Sequence, residues 1–287
     1  MNGSRRSPGA LVLRALVTVR ALADNLVGGW GLVADPRSFT RWAVDAVRYR
    51  QLRLWGWGRG RRRTIRVRQG VALTYRLDRG DIRVLAETWL SRAYELPPDV
   101  QIRPGATIVD LGANIGLTGL WLARRHACRA LVAVEPSPAN AELARLNLGA
   151  NEVPAQVIEA AVGPADGVTR FSLDEESTLG HVAADGVEVR MVAMETVLAR
   201  LDDGAAVDLL KMDIEGGEIA LLGDGAPWLD RVGCIVAELH PDAGDVEELI
   251  GRLEARGFRY RRLVDEAAYG PRGTEFMACF DRVGAGS

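Results

Sequence analysis

Lysine is almost absent from this chain of 287 residues: Lys211 is the single one, and arginine supplies the other positive charges. Cysteine is scarce too, since Cys128, Cys234 and Cys279 are widely spaced and odd in number. This excludes a disulfide framework and a cysteine-based metal motif, and it favours a reduced, cytoplasmic setting. A lone lysine is therefore conspicuous wherever it falls in a polar motif.

Long uninterrupted apolar segments are also missing. Residues 11–33 are apolar, but Arg14, Arg20 and Asp24 interrupt them together with several glycines. We expect no transmembrane helix here, because such a helix needs about 20 predominantly apolar residues. A cleaved signal peptide is not expected either, since no small-residue cleavage pattern follows a compact apolar core.

The net charge of −2 conceals a strong asymmetry, because residues 1–76 hold 16 arginines and three acids while the rest of the chain is acidic. Residues 41–57 fit a basic amphipathic helix that contains tryptophan. Such a helix can lie on an anionic membrane, cover an active site as a lid, or form a homodimer surface. We favour a lid or dimer element over peripheral membrane contact. No nucleic-acid partner is predicted, because no nucleic-acid-binding module is recognisable.

The most informative segment is Thr107–Thr118. It begins as an apolar strand, reaches Asp110, turns through Gly112 and Gly116, and continues as an apolar helix. Open α/β sheets build nucleotide sites in this way at the carboxyl end of a strand. Glycines let the backbone approach the ligand, and the first turn of the helix offers unpaired N–H groups.

The spacing of this turn separates two cofactors. A dinucleotide fingerprint requires G-x-G-x-x-G, but Asn114 occupies the middle position and Leu117 follows Gly116. A nicotinamide oxidoreductase is therefore disfavoured. A second strand ends in Glu135 about 20 residues after the turn, where an acid that binds ribose hydroxyls is expected. The alternative for Glu135 is a solvated residue at a strand end.

Two later segments place polar residues directly after apolar strands. Residues 207–218 contain Lys211, Asp213 and Glu215 before a double glycine, and residues 233–241 contain Glu238 and His240. Side chains alternate along a strand, so Lys211 should share a side with Asp213, and Glu238 with His240.

These motifs together resemble the FkbM family of S-adenosylmethionine (SAM) methyltransferases. The matching pieces span about residues 80–280 in family order, and one departure is Glu195, where the family usually has Asp. The resemblance implies SAM as cofactor and a hydroxyl acceptor on a sugar or a polyketide-like natural product. Its motifs place cofactor contacts at Asp110, Gly112, Asn114, Gly116, Glu135, Pro136 and Ala161.

The alternation of strands and helices predicts an α/β fold with a mostly parallel, Rossmann-like sheet. Strand-like runs at 258–263 and 276–280 predict a C-terminal antiparallel hairpin around Gly270, Pro271 and Gly273, as in class I SAM methyltransferases. We expect a mainly helical N-terminal extension over residues 1–63 and a methyltransferase domain over residues 64–283.

Methyl transfer to a hydroxyl requires alignment of donor and acceptor and removal of a proton. His240 is the predicted base, because an ordinary imidazole pKa lies near 6.5; alternatively it only caps its turn. Asp213 is predicted either to orient the acceptor hydroxyl or to lie near the methyl donor, and Glu238 is a further catalytic candidate. Lys211 is predicted either to take part in catalysis or to form a structural buried ion pair with Asp213 or Glu238.

A metal-assisted reaction is the less favoured alternative, with Mg²⁺ bound through Asp213 and Glu238. The sequence thus predicts a SAM-dependent O-methyltransferase that needs no metal, with a small-molecule or glycan acceptor. The competing function is a catalytically silent SAM-fold module that binds a partner through its basic N-terminal arm.

Overall fold

The computed structural model describes residues 27–55, 60–172, 181–182, 186–202, 204–223, 226–265 and 275–282. The chain divides into two compact units, residues 1–78 and 79–287. Most of the interrupted apolar segment at residues 11–33 and the hairpin turn at Gly270–Gly273 lie outside the described residues. Among the described helices, none combines the length and apolarity needed to cross a membrane.

The N-terminal unit contains helix α1 (Pro36–Trp55) and a hairpin of strands β1 (Arg62–Arg66) and β2 (Ala72–Arg76). Asp35 begins the helix, because its Oδ1 accepts the N–H of Ser38 at 2.8 Å. Helix and hairpin are joined by Asp45, which accepts the hydroxyl of Tyr75 at 2.7 Å and pairs with Arg63. The predicted boundary between residues 63 and 64 falls within β1, whereas the two compact units divide after Asp78.

Within the described part of the second unit, seven strands form the central sheet. They are β3 (Thr107–Leu111), β4 (Ala130–Glu135), β5 (Ala155–Glu159), β10 (Leu209–Met212), β11 (Cys234–Leu239), β12 (Phe258–Asp265) and β13 (Phe276–Arg282). Their spatial order is β5-β4-β3-β10-β11-β13-β12, and β13 runs antiparallel to both of its neighbours. The predicted Rossmann-like sheet with a C-terminal antiparallel hairpin is confirmed.

Short helices connect these strands. They are α2 (Asp81–Leu85), α3 (Leu117–Arg125), α4 (Pro138–Ala150), α5 (Met194–Leu198), α6 (Glu218–Leu221) and α7 (Val246–Ala255). Helix α4 packs against β4 and β5, and α7 packs against β12. All five residues of β3 are buried. Such continuous burial is expected of a central parallel strand, whose two faces are both covered.

A smaller sheet was not predicted. It contains β6 (Ala161–Val162), β7 (Gly167–Ser172), β8 (His181–Val182) and β9 (Val187–Val192), in the order β6-β9-β7-β8. The apolar run at residues 157–162 divides at Ala160. Its first part extends the central sheet, and its second part begins the smaller sheet.

Candidate active site at the carboxyl ends of the central strands

The glycine turn, residues Gly112–Gly116, leads from β3 into α3. Gly112, Asn114 and Gly116 all have left-handed backbones, with φ of 71°, 49° and 79°. A Cβ at Gly112 would lie 1.7 Å from the carbonyl oxygen of Asp213, and one at Gly116 would lie 3.0 Å from the Cα of Ala144. Both glycines are therefore required for conformation and for close backbone packing.

Glu135 ends β4 beside the glycine turn, as the sequence predicted. Its Oε2 accepts the N–H of Asn114 at 2.8 Å, and its Oε1 accepts the N–H of Ser137 at 2.9 Å and the amide of Asn140 at 3.2 Å. Burial raises the pKa of Glu135 to about 7, against the lowering effect of these hydrogen bonds. A carboxylate offers about four lone-pair positions, so it retains acceptor capacity toward a diol.

Pro136 and Ala161 flank Glu135 on the cofactor side predicted from the motifs. Pro136 follows it directly, and Ala161 begins β6 after Ala160, whose N–H donates to the Glu135 carbonyl at 3.1 Å. The structure thus brings the glycine turn, Glu135 and these two residues to the carboxyl end of neighbouring strands. Their contact with a cofactor stays a prediction.

Lys211 and Asp110 form a buried ion pair beneath the turn. The Nζ of Lys211 lies 3.1 Å from Asp110 Oδ1 and donates to the carbonyls of Leu111 and Gly112 at 3.3 and 2.7 Å. Burial opposes the charge on Lys211, but Asp110, Asp213 and Glu238 together raise its pKa. Burial raises the pKa of Asp110, which Lys211 counteracts.

This geometry fits a structural buried ion pair for Lys211, with Asp110 as the nearest partner rather than the predicted Asp213 or Glu238. The side chain of Lys211 is 2% exposed, and that of Asp110 is fully buried. Such burial favours a positioning role for both residues. They join the glycine turn on β3 to Asp213, whose Oδ2 lies 3.9 Å from Lys211 Nζ. A direct cofactor contact by the Asp110 carboxylate is disfavoured by its burial.

Asp213, Glu238 and His240 form what we call the strand-end cluster. Each offers a ligand atom, and these atoms all lie within 4.8 Å of one another. Asp213 follows β10, Glu238 lies near the end of β11, and His240 follows it. Glu238 therefore shares a side with His240, and Lys211 with Asp213, as the alternation of side chains along a strand predicts.

Two further residues of this region went unassigned at the level of sequence. Tyr94 donates its hydroxyl to Asp213 Oδ2 at 3.0 Å from 119 positions earlier in the chain. Glu218 is fully buried at the start of α6, and its Oε2 lies 3.2 Å from His240 Nδ1. In the sequence, Glu218 is an acid that directly follows a double glycine, and this position could have indicated it as a candidate. No local pattern indicated the role of Tyr94.

The environment of His240 changes the role predicted for it. Burial would lower its pKa, but Glu218, Asp213 and Glu215 raise it to about 9. The imidazole is therefore protonated at neutral pH in this arrangement and cannot accept a proton there. A role as base requires an imidazole with an ordinary pKa, and only the folded structure shows the three carboxyl groups around the ring.

The strand order, the glycine turn and the strand-end acids define a methyltransferase domain of the Rossmann-like type. The chain belongs to the methyltransferase FkbM domain family, whose model matches residues 110–260. The family resemblance seen in the sequence is thereby confirmed.

Relatives and solved structures agree with this assignment. The 31-O-demethyl-FK506 methyltransferase FkbM of Streptomyces tacrolimicus is 28% identical, over 68% of this chain and 88% of that protein. Methyltransferase sdnD of Sordaria araneosa is 29% identical, over 57% of this chain and 77% of that protein. The crystal structure of methyltransferase FkbM from Methylobacillus flagellatus KT shares the fold, with a TM-score of 0.51 and 14% identity, over 91% of this chain and 59% of that one.

Proposed function

We propose that this methyltransferase uses SAM and methylates a hydroxyl group of a sugar or a polyketide-like natural product. The observation that carries the proposal is the adjacency of two sites. The backbone of Gly112 packs directly against the carbonyl of Asp213. The cofactor cradle, by which we mean the glycine turn and Glu135, therefore lies directly beside the strand-end cluster. A methyl donor in the cradle would therefore present its methyl group near Asp213 and Glu238.

The reaction is an in-line displacement. A lone pair of the acceptor oxygen forms a bond to the methyl carbon, the carbon–sulfur bond breaks, and its electron pair stays on sulfur to give S-adenosylhomocysteine (SAH). The acceptor proton leaves through a carboxylate of the strand-end cluster to water. Asp213 suits this role because Tyr94 fixes one of its oxygens and leaves the carboxylate half-buried beside the cradle. Correct alignment supplies much of the acceleration.

A hydroxyl acceptor is supported by the strand-end carboxylates, which can accept a hydrogen bond from it. One relative is named for the methylation of an O-demethylated compound, 31-O-demethyl-FK506. The acceptor of this chain is then a hydroxyl on a natural product or glycan.

The test has two stages. Calorimetry with SAM, SAH and NAD first establishes the cofactor; tight binding of NAD without SAM would overturn the proposal. Methyl-labelled SAM is then incubated with a panel of glycosides and macrocyclic polyols, and labelled product and SAH are measured. We expect Asp213→Asn to lower turnover by about 10²–10⁴-fold with SAH affinity retained. Glu159→Gln, at the exposed end of β5, is the control. SAM binding without transfer to any acceptor of the panel would instead support the silent binding module.

A further inference from the structure

We propose that Asp213, Glu238 and His240 bind a divalent transition-metal cation. Their ligand atoms converge within 4.8 Å from the ends of two adjacent strands. Metal–ligand bonds of about 2.0–2.2 Å place ligand atoms roughly 3–4 Å apart, so small side-chain adjustments suffice. The cluster differs from a surface patch of acids, because His240 is 6% exposed and the two acids are only partly exposed.

The buried carboxylate of Glu218 is independent support. A histidine that binds a metal usually gives its other ring nitrogen to a carboxylate, which fixes the ring. Here Glu218 Oε2 lies 3.2 Å from His240 Nδ1. The other ring nitrogen, Nε2, lies 3.7 Å from Glu215 Oε2 and is the one we assign to the cation. Glu218 is itself fixed, since its Oε1 accepts the N–H groups of Ile214 and Gly216 at 2.9 and 3.3 Å.

Asp213, one of the two carboxylates of the strand-end cluster, is also held in place by neighbouring groups. Asp213 Oδ2 accepts the hydroxyl of Tyr94 and faces Lys211, so its other oxygen is available to a cation. Carboxyl groups also outnumber cationic groups around the cluster. Asp213, Glu215 and Glu218 all interact electrostatically with His240, whereas Lys211 already forms an ion pair with Asp110. A divalent cation would offset this excess of negative charge.

The donor set indicates the class of metal. Carboxylates suit Mg²⁺ and Mn²⁺, whereas imidazole suits zinc, iron, nickel and copper. Two carboxylates with one imidazole therefore favour Mn²⁺, Fe²⁺ or Zn²⁺ over Mg²⁺, which prefers oxygen ligands. Three protein ligands leave coordination positions open to water or to an acceptor oxygen.

The catalytic role of this cation rests on the proposed methyl transfer to a hydroxyl. A bound cation lowers the pKa of a coordinated hydroxyl group and orients its oxygen. With Asp213 engaged as a ligand, the acceptor proton would pass directly to water instead of through its carboxylate, and the acceptor oxygen would attack the methyl carbon in the same in-line displacement. On binding, the cation would take the place of the proton on His240 Nε2, and it would supply the activation of the acceptor hydroxyl.

Metal-stripped full-length protein is titrated with Mn²⁺, Zn²⁺ and Mg²⁺ by calorimetry, and Mn²⁺ is followed by electron paramagnetic resonance. We expect one Mn²⁺ per chain, with binding weakened at least tenfold in Asp213→Asn and in Glu238→Gln. Glu218→Gln should weaken it about 10–100-fold, because this residue only positions the imidazole. Pulsed resonance should show a nitrogen coupling that His240→Gln removes.

The control is Glu159→Gln, which alters another strand-end acid of the same sheet. No saturable Mn²⁺ or Zn²⁺ binding, equal weakening in the control, or a preference for Mg²⁺ would each overturn the assignment. Thermal unfolding of every variant identifies those that fail to fold. If His240→Gln is one of them, Asp213→Asn still tests the site, because Asp213 is only half-buried. SAH binding is measured in parallel. If the protein binds SAH but no metal, only the proposed cation site is contradicted. If it does not bind SAH, the proposed function is contradicted.

Discussion

Glu135 shows how one buried residue can serve both the fold and a ligand. Its two oxygens hold the backbone N–H groups of Asn114 and Ser137, which fixes the glycine turn relative to α4. Burial nevertheless raises its pKa to about 7 from the ordinary value of 4.5. The folded chain therefore holds this proton more tightly than the unfolded chain. The contribution of Glu135 to stability falls as pH rises from about 4.5 to about 7.

Cofactor affinity should follow the opposite trend. If the carboxylate accepts a ribose diol, SAH binding should weaken as pH falls through about 7, the pKa of Glu135, because protonation removes an acceptor position. Glu135→Gln should weaken binding by about 1–3 kcal/mol and remove this pH dependence. Calorimetry from acid to mildly alkaline pH measures both effects. An unchanged affinity in a folded Glu135→Gln protein would show that the ribose lies elsewhere.

Lys211 should matter more for stability than for chemistry. Lys211→Met leaves Asp110 uncompensated in a fully buried position, so the free energy of unfolding should fall by about 3–5 kcal/mol. The further change Asp110→Asn should recover part of this loss. Denaturant titration measures the effect.

The exposed pair of Arg145 and Glu159, 3.3 Å apart, is the matched comparison for the buried pair. Arg145→Met should cost at most about 1 kcal/mol, because water screens an exposed pair. Equal losses in the two variants would contradict the structural role assigned to Lys211.

At the level of elements, the glycine turn depends on more than a left-handed backbone. Gly105 also has a positive φ, of 84°, but a Cβ there would meet nothing within 4 Å. Gly105→Ala should therefore cost only the left-handed strain, about 1–2 kcal/mol, and leave SAH binding unchanged. Gly112→Ala should cost more and weaken SAH binding, because its Cβ collides with the Asp213 carbonyl. Unfolding and calorimetry on both variants check this, and similar results for the two would refute the packing argument.

The sequence was most informative where chemistry and local geometry coincide. Asp110, Glu135, Asp213 and Glu238 each follow or end an apolar strand, so their common edge could be predicted from the parallel sheet alone. The left-handed glycines were likewise predictable, since few other residues accept that backbone.

Long-range contacts were beyond local pattern. Tyr94 reaches Asp213 across 119 positions, and the pKa of His240 depends on three carboxyl groups within residues 213–218. The smaller sheet also escaped prediction, because its two-residue strands β6 and β8 are too short to show alternation. The unit that ends at Asp78 also includes the hairpin, which Asp45 joins to α1 through contacts that no local pattern indicates.

For the whole molecule, the charge asymmetry coincides with the division into two units. The arginine-rich residues 1–76 fall entirely in the N-terminal unit, and every residue of the candidate site falls in the second. Helix α1 also exposes apolar side chains, with Val44 and Val47 38% and 50% exposed. Exposed apolar and basic groups together suit either a protein interface or an anionic surface.

Removal of residues 1–78 tests whether the N-terminal unit serves as a lid or dimer element or instead contacts an anionic membrane surface. A deletion at residue 60 would split α1 from its hairpin, whereas a chain that begins at Arg79 loses the N-terminal unit as a whole. We expect this shorter chain to bind SAH as the full chain does, since the cradle residues all lie after residue 100. We also expect it to lose acceptor turnover or to dimerise less, as judged by analytical ultracentrifugation.

Attraction of arginines to anionic lipid is worth about 1 kcal/mol each and fades with salt. Sedimentation of the full chain with anionic vesicles at low salt, lost at high salt, would therefore replace the lid or dimer assignment with a membrane-surface one.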